Sequence, residues 1–361
     1  MKRIANSAPG DRAPRAASPA VSTTIAACLA WLSCGPPPPE PPEALLEGSA
    51  LGTRFSVRIA ADLEPQELEE AVATIGNELG RVDALMSTYR PDSEISGFNA
   101  ERSREPYPMS EETIAILEEA QGISEASGGA FDVTVGPLVD LWGFGPEGLD
   151  QPPDEDALSA VLPRVGWRLL DVDRRSGTLT KAVPDLEVDL SAIGKGYAVD
   201  RVTEALVAAG WPDVLVEIGG EIRAAGRSPR GTPWRVGIET PETIAGGIAR
   251  RIELVDRAMA TSGDYRNFYV VDGRRISHTI DPRSGRPVTH SGASVTVLAE
   301  RCATADAWAT ALLVLGPEQG YGLAEELGLA AHFQIYDGDG GVSERSTPAF
   351  EGWHGPDSRI E

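Results

Sequence analysis

The sequence is poor in cysteine, histidine and positive charge. It has 3 cysteines, 4 histidines and 32 Lys plus Arg against 55 Asp plus Glu, which gives a formal net charge of -23. This balance argues against a nucleic-acid partner, because contacts with phosphates need a cationic surface. His290, His332 and His354 show no metal-ligand spacing. An anionic ligand would therefore need local help from glycine loops, helix ends or a metal ion.

The N-terminal region reads as a targeting segment. Residues 1–34 have a basic start and an apolar run that is too short to span a bilayer, and a proline-rich tether follows at 35–47. The pattern resembles a bacterial lipoprotein signal, with Cys34 or alternatively Cys28 as the lipidated residue. It predicts a location in the bacterial cell envelope, lipid-anchored to the inner membrane on the periplasmic side. A disordered N-terminus with incidental cysteines is the simpler alternative.

Cysteine content bears on how the mature chain is stabilised. Cleavage at Cys34 would leave Cys302 as a free thiol, so no intramolecular disulfide could form. The fold must then depend on its core or on ligands.

Residues 48–337 combine helical periods with many short strands. Helices are predicted at about 111–127, 195–209, 303–315 and 318–327, and strands dominate from Trp167 onward, including 186–190. This order predicts an α+β fold, with antiparallel or mixed sheets packed against helices. Two subdomains with a cleft between them are expected, and residues 338–361 read as a polar tail.

The segment "VDLSAIGKGYAVD" combines a carboxylate, a bare turn and a cation at the start of a predicted helix. Asp189 ends the apolar approach, and Lys195 sits between two glycines. Glycine lets backbone amides approach a phosphate, and a helix start adds a partial positive charge. The segment fits neither a P-loop nor a dinucleotide-binding fingerprint. By itself, it indicates a turn more strongly than a ligand loop.

Two further segments could carry chemistry. Asp306 and Thr310 lie one turn apart on an alanine-rich helix, and their hard oxygens would suit Mg2+. The alternative is that both satisfy backbone groups of their own helix. His278 could act as a base, since histidine titrates near neutrality, although a lone histidine at a strand end is more often structural.

Seven motifs in a fixed order resemble the ApbE family of FAD:protein FMN transferases over about residues 51–335. Together they are far more specific than any one alone. They are "LGTRFSV", "LMSTYRPDSEISGFN", "GGAFDVTVGPLVDLWGFGP", "VDLSAIGKGYAVD", "VEIGGEI", "SHTIDPRSGRP" and "ADAWATALLVLG".

The resemblance implies an ApbE-like fold with FAD in the cleft. It also implies Mg2+-dependent transfer of the FMN part of FAD to a Thr or Ser hydroxyl of an exported acceptor, with release of AMP. The acceptors would resemble subunits of membrane-bound, flavin-dependent electron-transport complexes. The residues assigned to FAD are Leu51, Tyr89, Ala130, Phe131, Asp132, Asp189, Lys195 and His278; those assigned to Mg2+ are Ala192, through its carbonyl, Asp306 and Thr310.

Two positions depart from the family pattern, and the catalytic base has two candidates. Leu51 stands where the family often has Met, a change that conserves volume. Ala192 replaces a Ser or Thr of some relatives, so only its backbone carbonyl could contact the metal. His278 or Asp281 would take the proton from the incoming hydroxyl.

Three other functions are compatible with the sequence. The chain could hydrolyse FAD to FMN and AMP with Mg2+, using water instead of a protein hydroxyl. It could also be a lipoprotein that binds FAD without chemistry. A solute-binding lipoprotein for a ligand other than flavin is the generic alternative.

Overall fold

The structure, a computed structural model, covers most of the chain downstream of the predicted signal. The candidate lipidation residues Cys28 and Cys34 and most of the predicted tether lie outside the described residues. None of the helices it describes is long and apolar enough to cross a membrane. The described residues are 42–145, 151–241, 247–264, 268–271, 274–337 and 341–353.

An antiparallel sheet of eight strands forms the centre of the described part of the fold. Its strand order is β1-β2-β6-β7-β10-β15-β16-β17, and every neighbouring pair runs antiparallel. In the described part of the chain the strands are β1 (Ala44–Ala50), β2 (Thr53–Ile59), β3 (Tyr107–Pro108), β4 (Leu170–Asp173), β5 (Thr178–Lys181), β6 (Val214–Ile218), β7 (Glu221–Ala225), β8 (Trp234–Glu239), β9 (Ile248–Leu254), β10 (Arg257–Gly263), β11 (Phe268–Val271), β12 (Arg274–Ser277), β13 (Ile280–Asp281), β14 (Arg286–Pro287), β15 (Gly292–Ala299), β16 (Ala330–Tyr336) and β17 (Val342–Ser346).

Helices pack around this sheet, which confirms the α+β class. The smaller sheets are β3-β5-β4, β8-β9, β11-β12 and β13-β14. The described helices are α1 (Pro65–Met86), α2 (Glu94–Ala100), α3 (Glu111–Ala126), α4 (Gly136–Leu141), α5 (Glu155–Val161), α6 (Gly194–Ala208), α7 (Cys302–Glu326) and α8 (Pro348–Glu351).

Local sequence explains where the longer helices begin and bend. At the start of α1, Glu64 and Glu67 form a capping box next to Pro65, which suits a first helical turn. Helix α7 is kinked at Gly316, whose φ of 80° is not helical, and Pro317 follows. The kink divides α7 close to where the sequence predicts two separate helices.

The core lies on both faces of the main sheet. Ala258 and Met259 are neighbours in β10 but belong to different apolar clusters, because successive strand side chains point to opposite faces. The larger cluster includes the buried sides of α1, α3, α6 and α7. Contacts group the described residues, which begin at 42, into one compact unit.

Three boundaries differ from the sequence-based expectations. Residues 186–190 are not a strand, because the backbone of Val188 is bound by the side chain of Asn99 and the N–H of Asp189 donates to Val133. The main sheet begins at Ala44, inside the predicted tether. The prediction that residues 338–361 form a polar tail was wrong for residues 342–351, where β17 pairs with β16 and α8 follows.

Candidate active site

A cavity of about 920 Å³ collects residues from many elements of the fold. It is bounded by the end of α2, the turn before α4, the start of α6, the turn between β6 and β7, strand β10 and the first half of α7. Most of the site residues predicted from the sequence line it. They are Tyr89, Ala130, Phe131, Asp132, Asp189, Ala192, Lys195, His278, Asp306 and Thr310.

Leu51 and Asp281 are not among the residues that line this cavity. Leu51 forms the turn between β1 and β2 with a positive φ of 51° and packs against the main core. The carboxylate of Asp281 accepts hydrogen bonds from the backbone and the guanidinium of Arg283, with distances of 2.8–3.0 Å. These contacts make Asp281 a weaker candidate than His278 for a base.

Hydrogen bonds at Val188 and Asp189 hold the start of the segment that runs from Asp189 to Lys195. Asn99 bonds the backbone of Val188, and the Asp189 carboxylate accepts hydrogen bonds from the N–H and hydroxyl of Ser191. Helix α6 then begins without a side-chain cap. The N–H of Gly194 donates to the carbonyl of Leu190 and that of Gly196 to Asp306, so what this helix start offers an anion is its partial positive charge.

Lys195 links two carboxylates that come from different parts of the chain. Its Nζ is 3.1 Å from Glu221 Oε1 and 3.7 Å from Asp306 Oδ2. Burial opposes the charged ammonium, but Asp306 and Glu221 outweigh it, so the pKa of Lys195 is raised. Burial raises the pKa of Glu221, against the charge of Lys195 at 3.1 Å, which lowers it. Lys195 is therefore a fixed cation inside an acidic protein.

The first half of α7 presents oxygen atoms to the same cavity. Asp306 is buried and its Oδ2 accepts a hydrogen bond of 3.0 Å from Gly196 N–H. The hydroxyls of Thr310 and Ser262 lie 3.0 Å apart. Within the described residues no group of three or more His, Cys, Asp or Glu is placed to hold a metal ion. A metal would need hydroxyl and backbone oxygens beside Asp306, and hard oxygens of this kind suit Mg2+.

The "GGAFDVTVG" segment and nearby aromatic side chains form a further part of the cavity lining. Asp132 accepts hydrogen bonds from Thr134 and from the N–H of Trp167, while its burial raises its pKa. The ring of Phe144 packs edge-on to His278 at a centroid distance of 6.1 Å. Tyr89 is 70% exposed at the cavity surface. An aromatic ligand could therefore be bordered by Phe131, Phe144 and Tyr89.

Sequence reasoning missed three residues with clear positions at the site. Glu221 pairs with Lys195, Ser262 contacts Thr310, and Asn99 holds the backbone before Asp189. Two of them lie in motifs that the sequence analysis quotes, since Glu221 follows the glycine pair of "VEIGGEI" and Asn99 ends "SEISGFN". Their pairing with distant residues was not visible in either motif.

Comparison with known sequences identifies the family. The sequence model described as the ApbE family matches residues 51–333. The chain belongs to the ApbE family. The match spans every residue of the candidate site, from Leu51 to Thr310.

Members of the ApbE family with curated names are similar over most of this chain. The FAD:protein FMN transferase of Vibrio cholerae is 41% identical over 307 residues, covering 85% of this chain and 91% of that protein. The FAD:protein FMN transferase of Escherichia coli is 38% identical, covering 87% of this chain and 92% of that protein.

Solved structures of ApbE proteins have the same fold. The flavin transferase ApbE from Vibrio cholerae superposes with a TM-score of 0.79 at 40% identity, over 86% of this chain and 99% of that one. The ApbE protein from Thermotoga maritima gives a TM-score of 0.76 at 28% identity, over 86% of this chain and 98% of that one. The fold is therefore shared even where the sequence has diverged further.

Proposed function

We propose that this chain is an FAD:protein FMN transferase. The observation that carries the proposal is the meeting of a flavin-sized cavity with one fixed ammonium, Lys195, and a carboxylate, Asp306. The cavity volume of about 920 Å³ lies at the upper end of ordinary ligand pockets. The names of the similar proteins support the same activity.

The two parts of FAD would bind to different residues of the cavity. The diphosphate would lie near Lys195 and the start of α6, where an ammonium and the positive end of a helix attract phosphate oxygens. The flavin ring would lie toward Phe131 and Tyr89, since both line the cavity. An acidic protein needs such a local cation to retain a polyanion.

The oxygens at the start of α7 fit Mg2+. Asp306, Thr310 and the carbonyl of Ala192 would hold it, because all three residues line the cavity and offer hard oxygen donors. When bound, Mg2+ supplies charge neutralisation on the diphosphate, which favours departure of AMP. The buried Asp306 already accepts one hydrogen bond from Gly196, which fixes the orientation of its carboxylate.

His278 is the base that the arrangement favours. The acceptor's hydroxyl oxygen forms a bond to the phosphorus that carries the FMN part, the bond from that phosphorus to the AMP oxygen breaks, and AMP leaves. The hydroxyl proton passes to the imidazole of His278, which lines the cavity. Asp281 is held by Arg283 instead. The nucleophile belongs to the acceptor, so the chain needs no serine or cysteine nucleophile of its own.

The proposal extends to the acceptor and the cellular location. The acceptor hydroxyl would be a Thr or Ser of an exported protein, of the kind found in membrane-bound, flavin-dependent electron-transport complexes. The chain would be anchored at the periplasmic side of the inner membrane through Cys34 or Cys28. The basic start and the short apolar run before Cys34 support this location.

A single assay separates the transferase from its alternatives. The purified full-length protein is incubated with FAD, Mg2+ and an acceptor carrying a candidate threonine, and AMP release and covalent flavin are both measured. A transferase gives both signals, and Asp306→Ala abolishes both while Asp156→Ala, at an exposed position in α5, keeps them.

The other outcomes identify the alternatives. AMP without covalent flavin, with a validated acceptor, indicates an FAD hydrolase. Bound FAD with neither product indicates a binding protein. No binding of FAD at all would overturn every flavin-based function.

A further inference from the structure

Glu221 occupies a position that the local backbone defines tightly. It is the first residue of β7, directly after a two-residue turn in which Gly219 and Gly220 have φ values of 66° and 105°. Those values favour glycine, and a Cβ on Gly219 would lie 3.0 Å from the side chain of Thr53. The turn therefore places Glu221 in the wall of the cavity by backbone geometry.

The carboxylate of Glu221 is buried, and only one of its two oxygens has a partner in the described part of the chain. The residue is 4% exposed. Its Oε1 is 3.1 Å from Lys195 Nζ, whereas its Oε2 is buried without a hydrogen-bond partner in the described part of the chain. A buried charge is retained at such a position only with a partner of opposite sign.

Two carboxylates share the single ammonium of Lys195. The distance from Lys195 Nζ is 3.1 Å to Glu221 and 3.7 Å to Asp306, so the closer pair is the one with Glu221. Two carboxylates against one ammonium leave the cluster with one negative charge in excess, which a further cation would neutralise.

The Lys195 ammonium and a bound Mg2+ would compete for Asp306. An ammonium that moved from 3.7 Å into direct contact with Asp306 would occupy an oxygen that the metal needs and would repel the metal. Glu221 prevents this move, because it neutralises Lys195 and holds it at the side of the cavity.

We propose that Glu221 is a positioning residue that acts through Lys195: it keeps the Lys195 ammonium from moving closer to Asp306 than 3.7 Å, so that the Asp306 carboxylate keeps an oxygen for Mg2+. This inference rests on the proposed function, since that function assigns Mg2+ to Asp306. It predicts that Glu221 affects metal binding through Lys195, not by contacting the metal.

The test measures Mg2+ binding without any turnover. Mg2+ alone is titrated into the purified full-length protein by calorimetry, and the Mg2+-dependent rise in Tm is recorded in parallel. We expect Glu221→Gln to weaken Mg2+ binding about tenfold, which corresponds to a typical coupling between contacting residues. Glu187→Gln is the matched control, because Glu187 also lines the cavity but pairs with Arg102, at 3.7 Å, instead of Lys195.

A double-mutant cycle with Lys195→Met separates the two ways in which Glu221 could act. If Glu221 acts through Lys195, Glu221→Gln has little further effect on Mg2+ binding once Lys195 is replaced. An equal loss in both backgrounds would show that the Glu221 charge acts on the metal directly, and this would overturn the positioning role. No change in Mg2+ binding by Glu221→Gln alone would overturn it as well.

Folding and the proposed function are checked separately. Each variant must unfold cooperatively, and Glu221→Asp provides a second variant that keeps the charge but is too short to reach Lys195 in the same way. We expect it to weaken Mg2+ binding as Glu221→Gln does. Failure of the unmodified protein to bind Mg2+ or FAD would count against the proposed function. Normal binding by the unmodified protein, with Mg2+ binding unchanged in Glu221→Gln, would count against this inference alone.

Discussion

The side chain of Asn99 makes two hydrogen bonds with the backbone of Val188, each 2.8 Å long. Asn99 is the last but one residue of helix α2, and Val188 directly precedes Asp189 in the wall of the cavity. The amide of Asn99 thus replaces the neighbouring strand that the sequence pattern of 186–190 led us to expect. An Asn side chain can do this because it offers one donor and one acceptor.

Replacement of Asn99 by Ala should destabilise the fold and weaken FAD binding together. The N–H and the carbonyl of the buried Val188 would both lose their partner, at a cost of about 1–3 kcal/mol. Asp189 would also be less well fixed. Chemical denaturation gives the first effect, and quenching of flavin fluorescence gives the second.

Asn77→Ala is the control for this change, because Asn77 is exposed on α1. It should alter the free energy of unfolding by less than about 0.5 kcal/mol. An Asn99→Ala variant as stable as this control would show that the two hydrogen bonds contribute nothing.

His278→Asn and Asp281→Asn should have very different effects on transfer. His278 lines the cavity, and losing a general base typically lowers the rate about 10²–10⁴-fold. Asp281 lies outside the cavity lining and is bound by Arg283. Its replacement should alter only the local turn, so we expect the transfer rate to fall by less than about tenfold. Single-turnover formation of covalent flavin, followed across pH, measures both. A transfer rate in His278→Asn that matches the unmodified protein at every pH would remove His278 as the base.

Elements with strong local signals were predictable from the sequence. The boundaries of α3 and α6 agree with the prediction within a residue or two, because their apolar periods and their end residues are local features. The motif residues around Lys195 and Asp306 could be assigned to one site because their order in the chain matches a family. Neither assignment needed knowledge of the tertiary contacts.

Elements that depend on distant partners were not predictable. Strand β17 has the sequence "VSERS", whose exposed polar residues read as a tail, and it becomes a strand by pairing with β16 at the edge of the sheet. Residues 186–190 look like a strand, but Asn99 takes the hydrogen bonds at Val188. Glu221 carries no local sign that its partner is Lys195.

Gly196→Ala should separate α6 from α7 and reduce stability. A Cβ on Gly196 would lie 2.4 Å from the carbonyl oxygen of Cys302 and 2.8 Å from the Cα of Ala303, both of which are backbone atoms. The helices would have to move apart, at a cost of about 1–3 kcal/mol or more. Because Gly196 N–H also bonds Asp306, Mg2+ binding should weaken.

Gly194→Ala is the matched control for Gly196→Ala. It is the same substitution at the first residue of α6, and a Cβ there would meet nothing within 4 Å. The change should be neutral or stabilise by up to about 1 kcal/mol. Equal Tm values for the two variants would contradict the close packing of α6 against α7.

His332 should make stability depend on pH through the edge of the sheet. It is 1% exposed, its Nδ1 lies 2.9 Å from the hydroxyl of Ser346 in β17, and its ring stacks on Phe350. Burial lowers its pKa below 6.5, against the opposing effect of Glu344. Arg250, which lowers the pKa further, and Glu351, which raises it, are the other charged groups that act on the ring.

The sign of the effect follows from proton binding. Just below pH 6.5 the unfolded chain binds a proton at His332 that the folded chain excludes, so the stability that is present above this pH is lost as the pH falls. His332→Gln removes that loss, since glutamine does not titrate. The difference in Tm between about pH 7.5 and about pH 5 should therefore be larger for the unmodified protein than for the variant. Parallel Tm curves over this range would show that His332 binds its proton as readily in the fold as in the unfolded chain, and that β17 does not depend on a neutral ring.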